Sequence, residues 1–348
     1  MKALVTGGGG FLGRRITELL LERGDEVTIL ARGRYPAIEA LGARGVQADL
    51  RNKDALRAAV RGQDVVFHVA ALATSWAKPE DFYAVNVLGT RNLIDVMEDT
   101  GTPRLVFTST PSVTASGEPV RGGGMDLPHA EQNDSPYGAT KAEAERMVCD
   151  ANSRHLATVA LRPRLIFGPR EENLLPLIMK RALDRKLPKV GDGTNKVDMT
   201  YIDNAAWAHL DAEAALQDHT SACAGKAYFI SNGEPVVLWD WIRDFFDANE
   251  IPQPHRELSL NTARRAAAVM EWAWRNLPLK GEPRITKQAV TALGTDQYYD
   301  MEPAYRDLGY RVRVPMTDGT AATVQWFTQG KASLLIDGKE VVYAPDPA

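Results

Sequence analysis

Glycines at positions 7, 10 and 13 stand where a short β-type run, residues 2–6, gives way to a segment, 11–23, with apolar residues at helical spacing. A strand, a glycine turn and a helix in that order restrict the chain severely. The first glycine permits the tight turn, the second lets backbone approach a ligand, and the third lets helix and strand pack closely. The helix start then aims free N–H groups and a positive partial charge at whatever lies in front of it, which favours a phosphate. Gly7, Gly10, Phe11, Leu12 and Gly13 are therefore candidates to hold the pyrophosphate of a dinucleotide.

The rhythm continues. Residues 26–30, 65–69, 104–108 and 158–161 read as short buried strands, and 14–23, 53–60, 81–99 and 136–151 as helices. Such alternation predicts an α/β fold, a doubly wound parallel sheet of the Rossmann type. After Pro169 the pattern breaks, with Pro176, Pro188, Gly191, Gly193 and Pro235 separating shorter elements and helices expected at 238–248 and 262–277. The expected division is a dinucleotide-binding core over 1–169 that carries the catalytic residues. A smaller, helix-rich substrate subdomain follows over 170–328, with some segments returning to the core, and a terminal hairpin or tail over 329–348.

Composition narrows the class. A net charge of −4 lacks the basic excess of a general nucleic-acid binder. The two cysteines, Cys149 and Cys223, form no metal-binding or disulfide pattern, so no metal is expected and both read as free thiols. The amino terminus lacks the parts of a signal peptide, and no apolar run reaches the roughly 20 residues of a membrane span. The expectation is a cytoplasmic protein.

The second strand ends Leu30-Ala31-Arg32. An acidic residue in the place of Ala31 would bind the ribose 2′-hydroxyl of NAD and repel a 2′-phosphate. Arg32 suits that phosphate instead, so NADP(H) is the expected cofactor. Asp49 and Leu50 close the third strand, where Asp49 suits the adenine amino group. Ala70 and Ala71 close the fourth, where small side chains leave room for the adenosine ribose.

Tyr137 and Lys141 stand four apart after Asp134-Ser135-Pro136, a helix start, and so share one helical face. A nearby ammonium favours the phenolate and makes a tyrosine a proton shuttle. Thr108-Ser109-Thr110 follows the fifth strand, where a hydroxyl, Ser109 or Thr110, can reach a substrate oxygen beside Tyr137.

These motifs, together with Asn86-Val87-Leu88-Gly89-Thr90-Arg91-Asn92, Leu161-Arg162-Pro163-Arg164-Leu165-Ile166-Phe167-Gly168-Pro169, Thr200-Tyr201-Ile202-Asp203-Asn204 and Tyr228-Phe229-Ile230-Ser231-Asn232-Gly233, resemble the extended short-chain dehydrogenase/reductases in their 3β-hydroxysteroid dehydrogenase-like branch. The resemblance runs to about Phe327. It implies an oxidoreductase in which Tyr137 is the general acid/base and Lys141 holds the nicotinamide ribose and lowers the tyrosine pKa. Thr110 would be the hydroxyl on the substrate oxygen, with Ser109 as the alternative. Asn86 would support a proton relay, and Pro163 and Ile166 would pack the nicotinamide.

Within that branch the resemblance leans towards reductases of long-chain 2-alkyl-3-oxoalkanoates in olefin biosynthesis. It implies a two-tailed lipophilic substrate, with a thiolase-like condensing enzyme upstream and a β-lactone synthetase downstream as pathway partners. Arg164 is the candidate cation for the substrate carboxylate. The competing readings are a hydroxysteroid or sterol dehydrogenase, a sugar-nucleotide epimerase, and an NADP-binding sensor without chemistry. A homodimer through paired helices fits the family pattern.

Overall fold

Seven short strands, most of them buried on both faces, make one wholly parallel sheet. In chain order they are β1 (Lys2–Thr6), β2 (Glu26–Ala31), β3 (Arg44–Gln47), β4 (Val65–His68), β5 (Arg104–Thr108), β6 (Ala157–Pro163) and β7 (Lys226–Ile230). Their spatial order is β7-β6-β5-β4-β1-β2-β3. Every residue of β4 and of β6 is buried, as a sheet covered by helices on both faces requires. The computed structural model describes residues 1–329 and the backbone of Ser333–Ile336 and Lys339–Val342, which pair antiparallel. The rest of the expected terminal hairpin or tail lies outside the described residues.

The strand order reverses between β1 and β4, which opens a crevice at their carboxyl ends. Helix α1 (Phe11–Glu22) starts at that crevice and buries Leu12, Ile16, Leu19 and Leu20 against the sheet. Two further helices bear on the site, α2 (Gly89–Thr100) and α3 (Pro136–Asp150). Helix α3 starts as its sequence predicts. Ser135 caps it by accepting a hydrogen bond from the Gly138 amide, and Pro136 occupies the first turn.

The expected helix over 81–99 is continuous in path but not in type. Pro79–Phe82 is one α-turn, Tyr83–Leu88 is a π-helix, and α2 follows. The widened π turn carries Asn86, in keeping with the tendency of π turns to occur at functional sites. Hydrophobic periodicity does not register an insertion of that kind.

The two halves of the chain interleave. Strand β7 comes from the carboxyl half and pairs in parallel with β6. A four-stranded second sheet joins Val120–Gly123 of the first half to Gln297–Tyr299, Lys196–Val197 and Val236–Val237. One core cluster runs from Ala3 to Phe327.

Glu145 on α3 and Arg162 on β6 form a buried ion pair, 1% and 4% exposed. The arginine donates from Nε to one carboxylate oxygen at 2.9 Å and from Nη2 to the other at 2.6 Å. His129 adds a third contact at 2.6 Å, and the guanidinium lies over the Phe229 ring at 4.9 Å. Breaking such a pair from one side leaves an uncompensated buried charge and costs about 3–5 kcal/mol. Glu145→Ala should therefore lower the urea-unfolding free energy by about that amount. A change no larger than that of a surface Glu→Ala control would contradict this account of the pair.

Candidate functional site

The glycine turn is crowded backbone. Gly7 has φ +69, and a Cβ there would stand 2.9 Å from the Ala70 backbone. A Cβ on Gly13 would drive into the Gly7 carbonyl oxygen, and one on Gly9 into the Tyr35 ring. Gly10 caps α1 without a side chain, so the first amides of the helix remain directed outward. In front of them lies a cavity of about 930 Å³. Gly7, Gly10, Phe11, Leu12, Gly13, Arg32, Asp49, Leu50, Ala70 and Ala71 all line it. A dinucleotide fits this cradle, because the glycines let the turn fold tightly against the sheet and leave the first amides of α1 facing the cavity.

Both Asp49 oxygens are engaged by Arg51 at 2.8 Å, which holds the carboxyl down at about 2. Asp49, which lines the cavity, is thus held as a carboxylate by Arg51. Arg51, exposed and two residues on, lies in the turn after β3, where spacing gives no sign of which side chains meet. Arg32 is exposed at the end of β2, and its carbonyl accepts a hydrogen bond from Gln47 at 2.9 Å.

Beneath the turn runs a buried chain of hydrogen bonds. The Ala70 amide donates to the Thr6 hydroxyl, which lies 2.7 Å from His68 Nδ1. His68 Nε2 lies 3.0 Å from the Thr90 hydroxyl, which donates to the Asn86 carbonyl at 2.7 Å. Only one direction satisfies every member, with the His68 proton on Nε2. Burial, with the Lys141 charge nearby, pushes the imidazole down to about 3 and keeps it neutral. Asn86 itself is buried; it accepts from the Leu72 amide at 2.8 Å and donates to the Thr140 hydroxyl at 3.2 Å. It ties the segment at 72 to α3.

Tyr137, Thr110 and Lys141 meet at the carboxyl ends of β5 and β6. Thr110 caps the short 3₁₀ turn Pro111–Thr114, its hydroxyl accepting from the Ser112 amide and donating to the Ser112 hydroxyl, both at 3.2 Å, and it stands near enough to the Tyr137 phenol to pull its pKa down. Ser109 is buried and its hydroxyl faces the Glu145 carboxylate, back into the fold. The geometry thus sets Thr110, not Ser109, beside the tyrosine. Lys141 is 2% exposed, donates to the Thr108 carbonyl at 2.7 Å and lies 3.9 Å over the Phe107 ring.

One expectation is corrected here. Lys141 does not lower the tyrosine: burial pushes the Tyr137 phenol up to about 12, against the pull of Thr110. The ammonium donates to the Thr108 carbonyl, and burial brings Lys141 itself down to about 7, with Glu145 opposing.

Pro163 ends β6, and Ile166 begins the two-residue strand Ile166–Phe167. Neither these residues nor Tyr137, Lys141 and Thr110 are among those lining the large cavity, which ends against Leu72–Ser75, Val85 and the 172–177 segment. Arg164 lies between them, one residue before Leu165, whose φ of +39 bends the chain sharply. Its Nε has no hydrogen-bond partner among the described residues. Burial lowers its pKa, while Tyr299, Asp198 and Asp134 pull the other way. Asp198 is pushed up to about 6 and Asp134 is raised, both by burial. Arg164 is thus half-buried, with its Nε and oxygens of Asp134 and Asp198 left without hydrogen-bond partners among the described residues.

Comparison with known proteins places the chain. Residues 4–260 match the 3-beta hydroxysteroid dehydrogenase/isomerase family. A 2-alkyl-3-oxoalkanoate reductase from Stenotrophomonas maltophilia (strain K279a) is 46% identical over 92% of this chain and 97% of its own. A sterol-4-alpha-carboxylate 3-dehydrogenase, decarboxylating, from Mus musculus is 33% identical over 94% of this chain and 91% of its own. A dTDP-glucose 4,6-dehydratase from Streptomyces venezuelae, solved with NAD bound, superposes with a TM-score of 0.75 at 25% identity, covering 95% of this chain and 98% of that one. Among the described residues no helix is long and apolar enough to cross a membrane.

Lys141 makes a testable demand on stability. Its folded pKa lies near 7, below the 10.5 of a free lysine, so between those values the unfolded chain binds the extra proton. Native stability from this group is lowest below about 7 and rises with pH across the window. Lys141→Met should flatten that rise in urea midpoints measured from pH 7 to 10; an unchanged slope would show the ammonium to be solvated.

Proposed function

The chain is an oxidoreductase of the 3-beta hydroxysteroid dehydrogenase/isomerase family, within the extended short-chain dehydrogenase/reductases, and from that premise we propose that it uses NADPH to reduce the 3-oxo group of a long-chain 2-alkyl-3-oxoalkanoate to the 2-alkyl-3-hydroxyalkanoate, in olefin biosynthesis. The observation that carries the substrate is Arg164, half-buried, with an unpaired Nε, just past the end of the strand beside β5. A 2-alkyl-3-oxoalkanoate has its carboxylate one carbon from the ketone. An arginine next to the strand end that bears Thr110 suits that separation, and a bidentate guanidinium suits the carboxylate. The reductase of that name at 46% identity supports the same reading.

The division of labour follows from the site. When bound, the dinucleotide supplies the hydride that reaches the ketone carbon. Tyr137 holds its proton at neutral pH, because its phenol is pushed up to about 12, and donates it to the developing alkoxide. A protonated phenol is the form a reductase needs. Thr110 donates to the same oxygen as charge grows on it. Asn86 keeps the segment at 72 against α3, and Arg164 fixes the carboxylate so that the ketone faces Tyr137. The preference for NADPH rests on Ala31, which removes the acid that would repel a 2′-phosphate, and on Arg32, which lines the cavity there. A condensing enzyme then supplies the keto acid, and a β-lactone-forming enzyme takes the hydroxy acid.

A sterol carboxylate is the second reading. The mouse relative's name describes a carboxylate at position 4, next to the reacting position 3. Arg164 would serve it in the same way.

Three substitutions test these roles. Tyr137→Phe should nearly abolish NADPH oxidation with a 2-alkyl-3-oxoalkanoate while leaving NADPH binding intact; retained turnover would refute its role as acid. Arg164→Gln should raise KM for the keto acid and leave a neutral ketone unaffected, and equal effects on both would dismiss the carboxylate anchor. Arg32→Ala should cost roughly tenfold to a hundredfold in kcat/KM with NADPH and little with NADH. A wild-type enzyme that prefers NADH would overturn the choice of cofactor.

A further inference from the structure

Helix α4 (Leu260–Asn276) hides one face and shows another. Ala263, Ala267 and Glu271 are buried, at a spacing of four. The opposite stripe, Arg265, Val269, Trp272 and Asn276, is exposed at helical spacing. Val269 is 66% and Trp272 61% exposed, and beyond the helix Leu277 and Leu279 are 48% and 44% exposed. An apolar patch of this kind, gathered on one short stretch of chain, marks a contact surface.

Two further observations say what it contacts. Residues 260–287 carry six basic and two acidic side chains, an excess of four positive charges in a chain whose net charge is −4. Arg265, Arg275, Lys280, Arg284 and Lys287 are exposed, whereas one of the two acids, Glu271, is buried. A tryptophan and aliphatic side chains ringed by cations match the boundary of an anionic lipid layer, where rings sit at headgroup depth and basic side chains meet phosphate. The same stretch also runs directly into the large cavity. Glu282 and Gln288 line it, as do Leu174 and Leu177. The exposed patch is thus joined to the mouth of a cleft with apolar walls.

We propose that the face formed by Val269, Trp272, Leu277 and Leu279 docks peripherally on an anionic lipid surface and so brings the cavity mouth to a substrate dissolved in that layer. The inference rests on the lipophilic substrate proposed above. It adds where that substrate is taken from. Docking is peripheral, because among the described residues no helix spans a bilayer. None of Val269, Trp272, Leu277 and Leu279 lines the cavity or belongs to the reacting centre, so loss of the face leaves the chemistry in place.

The test is co-sedimentation of the full chain with vesicles of phosphatidylcholine, with and without phosphatidylglycerol. The wild type should pellet with the anionic vesicles, less with the neutral ones, and less again in high salt. The double variant Val269→Ser, Trp272→Ser should lose roughly tenfold or more in vesicle affinity. It should keep the wild-type melting temperature and the wild-type rate on a short, water-soluble 2-alkyl-3-oxoalkanoate, while its rate on a vesicle-embedded long-chain one falls. Failure of the wild type to bind anionic vesicles, or equal binding by the variant, would overturn the proposal. So would a drop in the variant's mass by light scattering, which would assign the face to a second copy of the chain. Vesicle binding without turnover of any keto acid would count against the substrate reading alone, and turnover without vesicle binding against the docking face alone.

Discussion

The ion pair between Glu145 and Arg162 is the contact on which the reacting centre depends. It joins the helix that carries Tyr137 and Lys141 to the strand that ends at Pro163 and leads into Arg164. Tyr137, Lys141 and Glu145 lie four residues apart along one face, so fixing the last fixes the pitch of the others. Ser109 turns its hydroxyl to the same carboxylate, leaving Thr110 as the hydroxyl beside the phenol. Burying two charges contributes little net stability compared with a well-packed apolar pair. What it contributes here is register between helix and sheet at the point where two side chains must meet a single oxygen.

The cofactor side is held by different means. Backbone crowding at Gly7 and Gly13 and the neutral His68 chain set the turn against the sheet. The chain of hydrogen bonds that begins under the turn ends at Asn86, on the π-helical turn that grips α3 through Thr140. The dinucleotide cradle and the reacting centre are therefore mechanically connected through His68 and Asn86. The energetic logic differs between the two ends. The cradle has space in front of it, whereas Tyr137 and Lys141 are enclosed and their proton affinities are displaced by burial.

Much of this was legible in the sequence because it is local. The strand–turn–helix at residues 2–22, the alternation of elements and the capped start of α3 follow from spacing and turn chemistry. Of the seven strands of the main sheet, β7 is the one that spacing alone could not assign, since it belongs to the sheet only by pairing with β6 across 62 residues of intervening chain. The environment of the reacting groups was also out of reach. Tyr137 and Lys141 at i and i+4 suggest a depressed tyrosine, but the result depends on where the lysine points and how deeply both lie. Glu145 and His129 carry no motif, and their tie to Arg162 appears only when distant segments meet. A third helical position, Glu145 at i+8 from Tyr137, was the one available hint.

Transfer of the cofactor's own hydrogen is the most direct test of the central claim. The protein would be incubated with NADPH deuterated at the transferable position of the nicotinamide and with a 2-alkyl-3-oxoalkanoate, and the product examined by mass spectrometry. The account predicts a 2-alkyl-3-hydroxyalkanoate carrying one deuterium on C3. A product without deuterium, or no reduced keto acid while a sterol carboxylate is processed under the same conditions, would contradict it.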